Sequence, residues 1–241
     1  MAVTSELAGQ LALVTGASRG IGRATAIQLA QRGAHIIALA RTSGALEELD
    51  DEIKALGQPD GATLVPLDLA DHDALDRLGR SIYDRWGKLD MLVGNAGILG
   101  PITPVSHITP KNWDALLAVN VTANWRLIRS LEPLLKQAKP GGRAIFVSSS
   151  AATKTKPYWG GYSMSKAALE SIVKVWAAES STTALRINLF NPGGTRTEMR
   201  AAAMPGEDPS QLPTPEQVAA FMLPYLMPDC AVSGELITFK A

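Results

Sequence analysis

The stretch LALVTGASRGIG, residues 11–22, decides the fold. LALVT is apolar up to its last residue rather than alternating, as in a strand covered by helices on both faces. It runs into a turn with glycines at 16, 20 and 22, spaced G-x-x-x-G-x-G, and a segment of helical period follows. Glycines here allow a tight turn, let backbone N–H groups approach a phosphate, and let the helix pack close to the strand. The helix N-terminus then faces an anion with its partial positive charge. Gly16, Ser18, Arg19, Gly20, Ile21 and Gly22 are therefore candidate dinucleotide-binding residues, although a plain turn can have the same composition.

The strand–turn–helix unit repeats outward from this point. Strands are predicted at 11–15, 35–40, 62–67, 89–94, 143–149, 184–190 and 235–239. Helices are predicted at 20–32, 45–56, 71–86, 110–136, 162–180 and 215–227. HIIALA, residues 35–40, is again almost wholly apolar. Such alternation predicts an α/β chain: a single domain over 1–241, with a Rossmann-type, doubly wound parallel sheet and helices on both faces. Asp71 and Thr109-Pro110 are placed to cap two of the helices. Residues 195–214, rich in Pro, Met and Ala, form the one long irregular stretch and are expected to be a substrate lid.

Composition narrows the function. The formal net charge is zero, which argues against a nucleic-acid partner and leaves little self-repulsion to oppose self-association. No apolar run approaches the roughly 18 residues that span a bilayer, so no membrane partner is expected. MAVTSELAGQ has no basic region followed by an apolar stretch, so no signal peptide is expected either. Cys230 is the only cysteine, which fits a reducing cytoplasm. His35, His72 and His107 are scattered, without metal-ligand spacing, and no metal is expected.

The second strand ends at Ala40-Arg41-Thr42, where an NAD site usually offers an acid to the ribose 2′-hydroxyl. Arg41 stands there instead, and Arg19 could converge on the same place. Two guanidiniums suit a 2′-phosphate, so NADP(H) is favoured over NAD(H); otherwise Arg41 is a solvated strand-end residue. Asp68 and Leu69, at the end of the third strand, lie where adenine edges are read; the lesser alternative for Asp68 is to cap the next helix. Asn95, Ala96 and Gly97 end the fourth strand with small residues that would let a ribose lie against the backbone.

Tyr162 and Lys166, in Tyr-Ser-Met-Ser-Lys, share one helix face at spacing i, i+4. An ordinary tyrosine has a pKa of about 10, and a nearby ammonium plus an oxidised nicotinamide could lower it. Chance can also place a Tyr and a Lys on one amphipathic face. Ser149, at the end of the fifth strand, could hydrogen-bond a substrate oxygen. Ser148 and Ser150 are rivals by composition, but strand alternation points Ser149 away from both. Asn120, between two valines, could hold a water that relays protons to Lys166.

Taken together, TGASRGIG, Asn95–Gly97, Asn120, Ser149, YSMSK (162–166) and NPGGTRT (191–197) resemble the short-chain dehydrogenase/reductase family over essentially the whole chain. The resemblance implies Tyr162 as general acid/base. It implies that Lys166 binds the nicotinamide ribose and lowers the tyrosine pKa, that Ser149 orients the substrate oxygen, and that Asn120 holds the relay water. Pro192 and Gly193 would begin the nicotinamide-side loop, with Thr195 and Thr197 as candidates for the carboxamide and pyrophosphate. The substrate would be a small carbonyl or alcohol compound. Helices around 112–135 and 162–178 would pair copies into a homotetramer or homodimer.

Two positions depart from the family pattern: Gly94 stands where an asparagine is usual, and the C-terminus lacks the usual aspartate-glycine-glycine. Two other readings of the chain remain. One is a catalytically silent cofactor-sensing protein on the same fold. The other is a sugar-nucleotide epimerase or dehydratase, which shares Tyr-x-x-x-Lys but has different glycine spacing.

Overall fold

Seven strands form the frame in the computed structural model, which describes residues 5–240: β1 (Leu11–Thr15), β2 (His35–Ala40), β3 (Thr63–Pro66), β4 (Met91–Gly94), β5 (Arg143–Val147), β6 (Arg186–Asn191) and β7 (Leu236–Thr238). They make one parallel sheet in the order β3-β2-β1-β4-β5-β6-β7. The chain builds outward from β1 to β3, then crosses to β4 and builds the other way. The reversal between β1 and β4 opens a crevice at the carboxyl ends of the strands, which is where such sheets bind ligands. This is the Rossmann-type fold expected from the apolar runs. Despite its unusual sequence, the C-terminal segment still pairs with β6.

Among the described residues, eight α-helices surround the sheet: α1 (Gly20–Gln31), α2 (Ser43–Ala55), α3 (His72–Trp86), α4 (Pro110–Leu116), α5 (Ala123–Gln137), α6 (Gly160–Glu179), α7 (Glu198–Ala203) and α8 (Pro215–Met222). Apolar side chains of α1, α2 and α8, among them Leu29, Leu49 and Met222, pack on one sheet face. Those of α3, α5 and α6, among them Ile82, Leu131 and Trp176, pack on the other. Fully burying each large aliphatic side chain contributes about 1.5–3 kcal/mol, so both faces are driven shut. The expected caps are present: Asp71 accepts from Ala74 N at 3.0 Å and Thr109 from Asn112 N at 3.3 Å.

Three expectations need correction. The single helix expected over 110–136 is interrupted by a π-helical turn at Leu117–Thr122, which carries Asn120 inward. Such turns arise where inserted hydrogen bonds displace the regular ladder. The stretch 195–214 is not irregular throughout. Thr197 caps α7 by accepting from Arg200 N at 3.2 Å, three alanines favour the helix, and Pro209–Gln211 forms a 3₁₀ turn. Finally, β5 ends at Val147 rather than Ser149, although Ser148 N still donates to Phe190 O at 2.7 Å.

Gly94 has a steric explanation. It lies beside Phe146 in the β4–β5 register, and a Cβ there would sit 2.3 Å from Phe146 Cδ1. The Phe146 ring fills the space and meets Trp176 edge-on, with centroids 6.2 Å apart. An aromatic ring on β5 thus takes the volume that a side chain at position 94 would use.

Candidate active site

The crevice is a cleft of about 740 Å³. Gly16, Ser18, Arg19, Gly20, Ile21, Arg41, Asp68, Leu69, Asn95, Ala96 and Gly97 line one part of it. Ser149, Tyr162, Lys166, Pro192, Gly193, Thr195 and Thr197 line the rest. Gly22 and Asn120 lie behind this lining.

The glycine-rich turn is held from below. Thr15 Oγ1 accepts from Asn95 N and Ala96 N, each at 3.0 Å, and Asn95 Nδ2 donates to Thr15 O at 2.9 Å. Gly16 has φ +65°, and a Cβ on Gly22 would stand 2.3 Å from Gly16 O. No side chain fits at Gly22, so α1 starts against the end of β1. The N-cap residue of α1 is Arg19, which makes no side-chain cap, and the first turn holds no acid. Uncapped N–H groups at such a helix start are donors suited to a phosphate.

Arg41 extends from the end of β2 with its guanidinium 3.9 Å from Asp68 Oδ2. Asp68 Oδ1 also accepts from Ala70 N at 2.9 Å, so Asp68 closes a local turn rather than capping a helix. Arg19 is ion-paired with Glu198 at the start of α7. Both arginines are exposed at the cleft edge, as a 2′-phosphate site requires, and each has an acidic neighbour that the sequence reading did not foresee.

At the reacting centre, α6 presents Tyr162 and Lys166 to the end of β5. Lys166 Nζ donates to Val147 O at 2.7 Å and lies 5.8 Å from the Tyr162 ring centroid. Burial pushes the Tyr162 phenol up to about 12, and the Ser149 hydroxyl beside it offsets part of that shift. Burial lowers the Lys166 ammonium to about 8. Burial and the Ser149 hydroxyl together therefore leave the Tyr162 phenol protonated near neutral pH, whereas the lowered pKa expected from the sequence also draws on an oxidised nicotinamide.

The three serines separate cleanly. Ser148 is buried and donates to Glu170 Oε1 at 2.7 Å, Ser149 and Ser148 line the cleft, and Ser150 does not. With Ser148 committed to Glu170, Ser149 has the available hydroxyl, although it also accepts from Ala151 N at 3.2 Å. Glu170 is itself buried and accepts from Lys174 Nζ at 3.0 Å. This carboxylate was not singled out in the sequence, though it lies one turn beyond Lys166.

Asn120 sits in the π-helical turn, buried behind the cleft. Its Nδ2 donates to Ile98 O at 2.9 Å and Ser165 Oγ at 3.0 Å, and its Oδ1 accepts from Ile98 N at 2.9 Å. The side chain ties the loop after β4 to α6 beside Lys166. On the far side of the cleft, Thr195 Oγ1 donates to Pro192 O at 3.2 Å, and Thr197 packs towards Gly20.

The substrate end is walled by Trp159, Met199, Ala202 and Ala203. Tyr158 is exposed outside the cleft at φ +72°, and its carbonyl accepts from Thr103 N at 3.0 Å. Ala201, Met204 and Leu212 also lie outside the lining. Arg196 and Arg200, not anticipated from the sequence, lie within it.

The comparisons agree with this geometry. A family model described as short chain dehydrogenase matches residues 10–208. The chain is 37% identical over 233 residues to an oxidoreductase of Escherichia coli, YciK, covering 96% of this chain and 91% of that one. It is 34% identical over 246 residues to an NAD-dependent oxidoreductase of Mycobacterium tuberculosis, covering 94% and 89%. A solved short chain dehydrogenase from Escherichia coli CFT073, complexed with NADPH, matches with a TM-score of 0.89 at 37% identity, covering 97% of this chain and 98% of that one.

Proposed function

Because the chain belongs to the short-chain dehydrogenase family, and is an oxidoreductase of that family, we propose that it is an NADP(H)-dependent enzyme that reduces a carbonyl compound, with Tyr162 as the proton donor. The observation that carries the proposal is the convergence of Ser149, Tyr162 and Lys166 on the cleft that also contains the uncapped start of α1.

The residues fit such a cofactor. The α1 N-terminus would take the pyrophosphate, Arg41 and Arg19 the 2′-phosphate, and Lys166 the nicotinamide-side ribose. Asp68 and Leu69 would flank the adenine, while Thr195 and Thr197 would hold the carboxamide and pyrophosphate. A reduced nicotinamide supplies the hydride when bound. Ser149 donates to the substrate carbonyl oxygen and orients it towards the phenol. Tyr162 gives its proton to that oxygen as negative charge develops there. The Lys166 ammonium stabilises the resulting tyrosinate. Oxidation of an alcohol runs the same proton transfer backwards. Asn120 positions the Lys166 side of the site through Ser165 and Ile98.

We further propose a homo-oligomer in the cytoplasm. Trp113, Trp125 and Val175 are exposed on α4, α5 and α6, and Cys230 is a free thiol. Among the described residues, no helix is long and apolar enough to cross a membrane.

The deciding experiment mixes the protein with NADPH and a panel of ketones and aldehydes and follows loss of the reduced-cofactor absorbance. Turnover with at least one carbonyl is expected. Tight NADPH binding without turnover of any compound would point instead to a cofactor sensor.

A further inference from the structure

At the substrate end, Arg200 lines the cleft and belongs to a charge cluster that the hydride chemistry does not use. Arg200 lies on α7, half-buried, with its guanidinium against Gly194: a Cβ added at Gly194 would meet Arg200 Cζ at 3.4 Å. Glu207 clamps it from the same lid, accepting from Nε and from Nη2, each at 2.5 Å. The fork holds the guanidinium in one orientation. Among the described residues, the third nitrogen, Nη1, has no hydrogen-bond partner.

A second cation lies nearby. Lys156 Nζ sits 4.4 Å from the Trp159 ring centroid and 3.3 Å from Met204 Sδ; the Arg200 hydrogen bonds hold the Glu207 carboxyl below its ordinary range, and Lys156 adds a smaller share. No carboxylate lies within ion-pair distance of Lys156 among the described residues. The group of Arg200, Lys156 and Glu207 therefore has one net positive charge. It borders the apolar wall of Trp159, Met199, Ala202 and Ala203, and the Trp159 ring meets the Tyr162 ring edge-on, with centroids 6.0 Å apart.

An apolar wall running from the proton donor to a group with one unbalanced positive charge matches a particular kind of molecule. Its carbonyl faces Tyr162, its body is hydrophobic, and its far end has a single negative charge. One net charge suits a carboxylate better than a dianionic phosphate, and an unpaired guanidinium edge is a directed donor for it. We propose that Arg200, positioned by Glu207 and assisted by Lys156, is a specificity-determining residue, and that the substrate is a keto acid with an apolar spacer between carbonyl and carboxylate. The proposal rests on the carbonyl-reducing reading of the cleft.

The test uses NADP-loaded protein titrated by calorimetry with 4-acetylbenzoate and 4-(4-acetylphenyl)butanoate, each against its methyl ester, with turnover measured in parallel on protein supplied with NADPH. At least one acid is expected to bind about tenfold or more tightly than its ester. Arg200→Met should bring that ratio to about one, and Lys156→Met should lower it in part. Glu207→Gln adds one net positive charge and should raise the ratio, which a merely unfolded lid would not do. Equal affinity for acid and ester in both pairs, or a ratio that survives Arg200→Met, overturns the proposal. If the acids bind preferentially but nothing is reduced, the anion site stands and the carbonyl-reducing reading fails. If acids and esters are bound and reduced equally, that reading stands and the anion site fails.

Discussion

Arg19, at the start of α1, and Glu198, at the start of α7, form an ion pair that joins the glycine-rich turn to the segment after β6. Both side chains are largely exposed, so the bond itself is weak. Its interest is competitive. A 2′-phosphate that recruits Arg19 must draw it away from Glu198. Glu198→Gln should therefore tighten NADPH binding by about threefold, in line with the modest value of an exposed pair, and leave NADH nearly unchanged. Fluorescence titration of both cofactors checks this. Weaker NADPH binding in the variant would mean that Glu198 supports the site rather than competing with it.

Arg41 has a clearer part. Among the described residues its one ion-pair partner is Asp68 at 3.9 Å, a loose contact that leaves the guanidinium available. Arg41→Asp should weaken NADPH by about tenfold or more, the scale of a lost charge-assisted contact, and NADH by much less. Equal losses for the two cofactors would refute NADP(H) preference.

Tyr162→Phe removes only the hydroxyl from a buried ring. Turnover should fall by about 10²-fold or more, while the dissociation constant for NADPH stays within about twofold. Substantial residual activity would remove Tyr162 from the mechanism.

Lys166 has a folded pKa of about 8 against an ordinary 10.5, so holding it charged inside the protein costs stability. Below pH 8 both folded and unfolded chains are protonated there and the cost is at its full size. Between pH 8 and 10.5 the unfolded chain binds more protons at this site, so stability rises with pH as the cost is relieved. Lys166→Met should be inactive, yet more stable at pH 7 by about 2 kcal/mol after allowing for the lost bond to Val147 O. The advantage should shrink by pH 10. Urea denaturation at both pH values measures it, and a variant less stable at pH 7 would show that the ammonium is not a net burden.

The sequence was most legible where one residue's environment is set by its neighbours in the chain. β1 and β2 appear with the expected bounds because apolar runs flanked by turns leave few alternatives. The candidate reacting residues were legible as well, since Tyr162 and Lys166 are one turn apart and Ser149 lies just beyond the end of β5. The π-helical turn around Asn120 was not, because it depends on bonds to Ile98 and Ser165 that only the fold brings near. The Arg19–Glu198 pair, 179 positions apart, was illegible for the same reason. Arg200 and Glu207 are only seven apart, but the lid was expected to be irregular, so no helix was available to bring them together.

Gly94 and Phe146 have a consequence of another kind, for the order in which this protein can change. No side chain, not even a methyl group, fits at 94 while the ring occupies that volume. Restoring an asparagine at 94 first would force two groups into one space, at about 1–3 kcal/mol or more. Shrinking the ring first would leave a void beside Trp176, at about 3–5 kcal/mol if position 146 became alanine. Either first step alone passes through a destabilised intermediate, so exchange at one position is expected to depend on the residue at the other.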